Sequence, residues 1–210
     1  MKETKAGLSS FGSGKGVYMK SFSARKIVVT GLLAALSSVL MYLNFALPFS
    51  LPFLKIDFSD FPALLASFSV GPLSGVAVCL IKNLVSLPAS STVGFGELSN
   101  FILSSAFVLS SGIFYRRHKT KKGALIASAI GVVTMSVCAI FSNYFIVYPA
   151  YFKYSGFINE GVLLGIANVD SVMKVVLLFN VPFTFLKGLL NFIITFVLYK
   201  RISPILQGKK

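Results

Sequence analysis

The sequence predicts an all-α integral membrane protein with six transmembrane helices and with both termini in the cytoplasm. The chain is 55% hydrophobic and only 12% charged, and its mean hydropathy of +0.82 lies far above that of soluble domains. Apolar runs of about 20 residues recur, the length that an α-helix needs to cross a hydrocarbon core about 30 Å thick. The sequence lacks the short alternating segments that are typical of a transmembrane β-barrel.

The distribution of positive charge predicts the orientation. The formal net charge is +14 at pH 7, and most Lys and Arg lie in three clusters. These clusters are Lys2, Lys5, Lys15, Lys20, Arg25 and Lys26; Arg116, Arg117, Lys119, Lys121 and Lys122; and Lys200, Arg201, Lys209 and Lys210. Because cytoplasmic loops of membrane proteins are enriched in Lys and Arg, all three clusters are expected inside the cell.

Composition divides the chain into three regions. Residues 1–20 are rich in Gly, Ser and Lys and are expected to form a disordered cytoplasmic tail. Residues 21–203 hold the six-helix transmembrane domain, and residues 204–210 form a second cytoplasmic tail. We therefore expect a multi-pass protein of the cell membrane that contacts the lipid bilayer and not nucleic acid.

Span 1 is predicted at residues 27–47 and carries a stripe of small residues. Gly31, Ala34, Ala35 and Ser38 recur three to four positions apart, a spacing that lets another helix approach closely. Spacing alone favours packing against a helix of the same chain, and contact with a partner protein is the alternative.

The next region combines an outer loop with two short apolar segments. The loop covers residues 48–60 and includes Asp57 and Asp60. The apolar segments, residues 61–70 and 75–87, are separated by the sequence GPLSG. Two short crossings or a re-entrant pair would both keep the basic cluster at residues 116–122 in the cytoplasm, whereas a single long span would move it outside.

The remaining spans are predicted at residues 96–115, 123–150 and 181–199. An outer segment at residues 151–180 precedes the last of them, with a surface helix near residues 171–179. Pro182 suits the first turn of the last span, where the missing backbone N–H has no helical partner to lose.

Polar residues cluster toward the outer ends of the later spans. They are Glu97, Asn100 and Ser104 on span 4, Asn143 on span 5, and Thr184, Lys187 and Asn191 on span 6. An unpaired ionisable group in hydrocarbon costs at least about 2.5 to 3.5 kcal/mol, so Glu97 and Lys187 should face a cavity or each other. A pocket open to the outside explains this pattern; the alternative is a set of interhelical hydrogen bonds, or an ion pair of Glu97 with Lys187 or Lys82, without any ligand.

The sequence favours a binding or transport protein over an enzyme. His118 is the single histidine and lies in a basic loop, so neither a Ser/His/Asp set nor a metal cluster can be assembled. No nucleotide-binding motif is present, so energy for any uphill transport must come from a partner or from an ion gradient. The 21 Phe and 8 Tyr residues could line a pocket for a flat heteroaromatic ligand.

Several short motifs share their order and spacing with one family. They are FLKIDFSDFP at 53–62, GP at 71–72, KN at 82–83, GELSN at 96–100, NY at 143–144 and PFTFLKG at 182–188. Together they resemble the riboflavin-binding S component of energy-coupling factor (ECF) transporters, over residues 25–201. The resemblance implies a six-helix membrane subunit that captures riboflavin from outside, with riboflavin as bound substrate and no cofactor. It also implies a transmembrane coupling subunit and two cytoplasmic ATPases as partners.

The resemblance also implies roles for particular residues. Its substrate-binding positions are Glu97, Asn100, Asn143, Thr184 and Lys187, with Leu54 and Asp57 in a loop that would help to cover the site. Thr184 stands where an asparagine is expected, and its hydroxyl is shorter and offers a single donor. Gly31 and Ala35 match the small-residue motif that contacts the coupling subunit in this family, with Ala34 and Ser38 beside them.

Other interpretations remain open from the sequence. The same fold could take another vitamin, such as thiamine, biotin or pantothenate. A self-sufficient secondary transporter would predict uptake without ATPases and an inverted repeat, which the sequence does not display. A structural or assembly protein would predict a filled interior and no ligand.

Overall fold

The computed structural model describes residues 24–46, 51, 54–90, 92–154 and 159–207, and this part of the chain is almost entirely helical. The predicted tail at residues 1–20 lies outside the described residues. The helices are α1 (Ala24–Tyr42), α2 (Asp60–Ser69), α3 (Pro72–Ser86), α4 (Phe95–Arg117), α5 (Lys121–Ser142), α6 (Tyr148–Tyr154), α7 (Glu160–Ala167), α8 (Val172–Val175) and α9 (Val181–Gln207). A short antiparallel ribbon pairs β1 (Phe45–Ala46) with β2 (Lys55–Ile56).

Five described helical stretches are long and apolar enough to cross a membrane. They are Ala24–Tyr42, Pro72–Ala89, Phe95–Arg117, Lys121–Tyr154 and Val172–Leu198. The predicted helical class is therefore confirmed, and the two predicted short segments appear as separate helices, α2 and α3. Helix α2 has 10 residues, which makes it about 15 Å long, or half the thickness of a hydrocarbon core.

Helix α2 forms the centre of the bundle. It is buried at every position from Asp60 to Phe68 and contacts α1, α3, α4 and α9. Gly71, with a φ of 144°, ends the helix in a conformation that favours glycine, and Pro72 starts α3 at once. The two helices consequently run antiparallel, with the start of α2 beside the later turns of α3.

Glycines let the central helices approach closely. A Cβ atom placed on Gly131 of α5 would lie 2.0 Å from Ser111 Oγ and 2.8 Å from a ring carbon of Phe107 on α4. A Cβ on Gly112 of α4 would lie 2.1 Å from Ser67 Oγ on α2. Small residues at such contacts are the usual means of helix association in membranes, where burial of apolar surface from water is absent.

We expect Gly131→Val to destabilise the protein because the added methyl groups have no space against α4. Overpacking of this kind costs about 1–3 kcal/mol, and it should appear as a lower midpoint of thermal unfolding in detergent. Gly165→Val is the matched control, since a Cβ on this exposed α7 glycine meets nothing within 4 Å. Equal shifts in the two variants would contradict the close packing of α4 and α5.

Two π-helical turns lie within otherwise continuous helices. Asn143–Val147 joins α5 to α6, and Val176–Asn180 joins α8 to α9. In each turn a backbone N–H bonds the carbonyl five residues earlier, Tyr148 to Asn143 and Val181 to Val176, and a proline comes next in the sequence. A proline ring clashes with the carbonyl four residues before it in a regular helix, and the wider π turn relieves that clash.

The observed boundaries correct three of the predicted ones. Span 1 ends at Tyr42 and not at residue 47, because the chain turns into β1. The predicted outer segment at 151–180 is helical from residue 172 and runs on into α9, so the last span begins earlier than residue 181. Helix α9 also continues to Gln207, beyond the predicted end at residue 199.

Candidate functional site

A cavity of about 210 Å³ lies at one end of the bundle. It lies near the N-terminal end of α4, where Glu97 and Asn100 line it, whereas Arg116 and Arg117 lie at the other end of that helix. The separation along α4 is about 30 Å. All the residues predicted to bind substrate line this cavity: Leu54, Asp57, Glu97, Asn100, Asn143, Thr184 and Lys187.

The cavity has an exposed mouth and a buried floor. Tyr42, Asn44 and Lys55 are exposed and lie along the mouth, near the β ribbon. Asp57 and Lys187 belong to the floor and are only 5% and 6% exposed. A ligand that reaches the floor would leave water almost completely, so each of its polar groups would need a partner in the protein.

Lys187 is the central group of the floor. Its Nζ donates to Asp57 Oδ2 at 2.9 Å and to Asn100 Oδ1 at 2.8 Å. These contacts join α9 to α4 and to the segment before α2. The Asp57 carboxylate balances the Lys187 charge, so this part of the cavity offers hydrogen bonds without a net charge.

A second ion pair lies behind the floor. Lys82 and Asp60 are 0% exposed, and Lys82 Nζ lies 2.5 Å from Asp60 Oδ1. Lys82 also donates to Ser59 Oγ at 2.7 Å, and Ser104 Oγ donates to the same oxygen of Asp60. Asp60 Oδ2 is 3.8 Å from Lys187 Nζ, so the two pairs form one network in which two lysines balance two aspartates.

Asn191 fixes this network to the backbone. Its Oδ1 accepts from the Phe61 amide at 2.8 Å, and its Nδ2 donates to the carbonyls of Asp57 and Lys187, both at 3.0 Å. Asn191 is 0% exposed. It holds the start of α2 against α9 and thereby positions Asp57 opposite Lys187.

The positions of the acidic residues bear on two predictions. Within the segment predicted as a loop at residues 48–60, Asp57 and Asp60 are buried, and Asp60 already begins α2. The alternative ion pair of Glu97 with Lys187 or Lys82 is wrong, because Glu97 Oε2 accepts from the hydroxyl groups of Ser90 and Thr92, at 2.6 and 2.9 Å. Charge balance is the sequence signal that could locate these acidic residues. Buried lysines at positions 82 and 187 require acidic residues nearby, and the segment at residues 53–62 contains two.

Asn143 and Thr184 line the cavity from two neighbouring helical stretches. Asn143 Nδ2 donates to the Ala139 carbonyl at 2.8 Å, which leaves its side-chain oxygen available to the cavity. Thr184 is 5% exposed. Asn180, one turn before Thr184, also lines the cavity; it is absent from the predicted site because the predicted span begins only at residue 181.

The small residues of α1 differ in their exposure. Ala34 and Ser38 are 1% and 7% exposed and pack within the bundle, and Ser38 Oγ donates to the Ala34 carbonyl at 2.9 Å. Gly31 and Ala35 are exposed at the edge of the same stripe, beside Leu32. The first pair therefore contacts helices of the same chain, and only the second pair is accessible to a partner.

Comparison with known proteins gives consistent matches. The family model described as "ECF transporter, substrate-specific component" matches residues 25–199. The chain is 29% identical over 184 residues to the riboflavin transporter RibU of Staphylococcus aureus, which covers 87% of this chain and 93% of that protein. It is 30% identical over 190 residues to the riboflavin transporter FmnP of Bacillus subtilis, covering 89% and 96%.

One solved structure has a similar fold. It is described as the S component of a bacterial ECF transporter, and it aligns with a TM-score of 0.69 at 29% sequence identity. The alignment covers 87% of this chain and 98% of the solved chain. The similarity therefore extends over nearly the whole helical bundle, including the elements that line the cavity.

Proposed function

This chain belongs to the family of substrate-specific components of ECF transporters, and from this premise we propose that its cavity captures riboflavin for uptake into the cell. The observation that carries the proposal is the cavity itself, with its balanced Lys187 and Asp57 pair and its asparagine side chains. The curated relatives that match most of the chain are riboflavin transporters. The protein is accordingly a transport subunit and not an enzyme.

The lining suits the chemistry of riboflavin. The flavin ring is flat and uncharged at neutral pH, with carbonyl oxygens and ring nitrogens along one edge, and its ribityl chain carries hydroxyl groups. Lys187 and Asn143 would bond the polar edge or the ribityl chain, and Glu97 could accept from hydroxyl groups with its second oxygen. Phe183 and Tyr151 offer aromatic surface to the ring.

We propose six membrane crossings, with α2 as the short one and both termini in the cytoplasm. The chain would then be a multi-pass protein of the cell membrane, with residues 21–203 as the substrate-binding domain. The basic turn between α4 and α5 supports this orientation, because the positive-inside rule puts Arg116 and Lys122 in the cytoplasm. The cavity then opens outward, where the vitamin is captured.

Transport requires partners that hydrolyse ATP. We propose a transmembrane coupling subunit and two cytoplasmic ATPases, and we assign the exposed Gly31 and Ala35 face of α1 to the coupling subunit. Two small residues one turn apart allow a helix of another subunit to approach closely. The adjacent exposed Leu32, 67% accessible, would be covered in the assembled transporter.

We expect Gly31→Leu to leave riboflavin affinity unchanged and to reduce uptake by about tenfold or more, because a clash between helices costs about 1–3 kcal/mol. A Cβ on Gly31 meets nothing within 4 Å, so the subunit itself should tolerate the change. Riboflavin titration in detergent and uptake of labelled riboflavin by cells with the coupling module measure the two effects. Gly165→Leu is the matched control, and normal uptake by Gly31→Leu would contradict the interface.

Competition and energy dependence test the function as a whole. Bound riboflavin should not be displaced by an excess of thiamine, biotin or pantothenate, and uptake should stop when the ATPases are absent. Displacement by one of the other vitamins would reassign the substrate. Uptake without the ATPases would instead indicate a self-sufficient transporter.

A further inference from the structure

Asn180 ends the π-helical turn Val176–Asn180 and faces the cavity. Asn180, Thr184 and Lys187 follow at intervals of four and three residues, so they lie on one face of the helix. All three line the cavity. The wide turn before Pro182 thus extends the polar face of α9 by one turn toward the mouth.

Tyr148 holds the Asn180 side chain in place. The Tyr148 hydroxyl donates to Asn180 Oδ1 at 2.7 Å, and the two residues are only 1% and 2% exposed. Tyr148 itself follows the other π turn, Asn143–Val147. The hydrogen bond therefore links the two π turns across the cavity wall and orients the Asn180 amide.

The Asn180 amide nitrogen donates no hydrogen bond to the residues that the structure describes. In the described part of the chain, the only hydrogen bond of this side chain is the one that its oxygen accepts from Tyr148. A side-chain amide that lines a cavity and has no acceptor among the described residues keeps its capacity to donate to a ligand. Asn180 is nearly buried, its amide is oriented by Tyr148 and it belongs to the cavity lining, so a ligand oxygen could accept from it.

We propose that Asn180 is a further substrate-binding residue, whose side-chain N–H donates to a carbonyl or hydroxyl oxygen of the bound riboflavin. This inference rests on the proposed function. Thr184 lies one turn deeper, and its side chain is shorter and has a single donor. The longer Asn180 side chain can therefore contact ligand atoms that the Thr184 hydroxyl does not reach. Tyr148 is a positioning residue that acts through Asn180.

The test is riboflavin titration of purified, ligand-free variants. Asn180→Ala should weaken binding about tenfold, the effect of losing one well-oriented hydrogen bond to the ligand. Tyr148→Phe should weaken it only about threefold, because the donor remains and only its orientation is relaxed. Asn159→Ala is the matched control: Asn159 caps α7 outside the cavity, so affinity should change by no more than about twofold.

Asn180→Asp separates a binding role from a structural one. The carboxylate can still accept from Tyr148 but cannot donate to the ligand, so binding should weaken at least as much as in Asn180→Ala. A purely structural Asn180 predicts that Asn180→Asp retains affinity and that Asn180→Ala and Tyr148→Phe have equal effects; either result would overturn the proposal. If Asn180→Ala fails to fold, as judged by thermal unfolding without ligand, the affinity of Asn180→Asp relative to the unmodified protein still decides: retained affinity would overturn the proposal.

The outcomes also distinguish this inference from the proposed function. Tight riboflavin binding by the unmodified protein, with equal binding by Asn180→Ala, would remove Asn180 alone from the site. Absence of riboflavin binding by the unmodified protein would overturn both.

Discussion

Lys187→Ala is expected to weaken riboflavin binding by about hundredfold or more. Two effects add in the same direction. The ligand loses a charged donor on the cavity floor, and the Asp57 carboxyl group, 5% exposed, is left beside the ligand without the ammonium 2.9 Å away. Truncating one partner of a buried, hydrogen-bonded charge pair generally costs about 2–5 kcal/mol, which sets the size of the expected loss.

Equilibrium titration in detergent measures this loss, with the thermal unfolding midpoint recorded for each variant. Lys174→Ala is the matched control, because Lys174 pairs with Asp170 on an exposed surface outside the cavity. Asp57→Asn combined with Lys187→Ala should bind better than Lys187→Ala alone, since it removes the uncompensated charge. A folded Lys187→Ala protein with unchanged affinity would remove Lys187 from the binding site.

Lys82→Met is expected to lower the free energy of unfolding by about 3–5 kcal/mol, the usual consequence of removing one partner of a buried ion pair. Asp60 is 0% exposed and would be left with only Ser104 and the more distant Lys187, whose Nζ is 3.8 Å from Oδ2. Helix α2 starts at Asp60 and lies at the centre of the bundle. Loss of the ion pair that holds its first residue should therefore destabilise the whole fold.

The double variant Lys82→Met with Asp60→Leu tests whether the cost comes from the unpaired charge. Replacing both partners by apolar groups should restore most of the lost stability, measured by thermal unfolding in detergent. Lys174→Met breaks the exposed Lys174 and Asp170 pair and should leave the unfolding midpoint unchanged. Equal effects of Lys82→Met and Lys174→Met would contradict a buried pair that anchors α2.

The helices and the family could be predicted from sequence because both depend on local patterns. Apolar runs, glycine and proline breaks and short motifs carry that information, and membership of the ECF substrate-specific family is confirmed by the family match over residues 25–199. The burial of Asp57 and Asp60 could not be predicted in the same way. It depends on how a segment between prolines folds back between α1, α3 and α9, and no local pattern specifies that tertiary packing.

Asn180 shows how a reasonable local rule can miss a residue. Proline is favoured at the first helical turn, so Pro182 predicts that the last span begins there. The π turn before it instead allows the helix to continue through the proline, and Asn180 becomes part of the cavity wall. Similarly, the spacing of small residues on α1 could not reveal that Ala34 and Ser38 are buried in the bundle while Gly31 and Ala35 remain exposed.

The most direct measurement is the flavin content of the purified protein. The protein would be purified in detergent from cells grown with riboflavin, and its visible absorbance would be recorded. Denaturation would then release any bound flavin, and the molar ratio of flavin to protein would be measured. The proposed function predicts a stoichiometric flavin spectrum. A colourless protein that also fails to quench the fluorescence of added riboflavin would contradict riboflavin capture by this cavity.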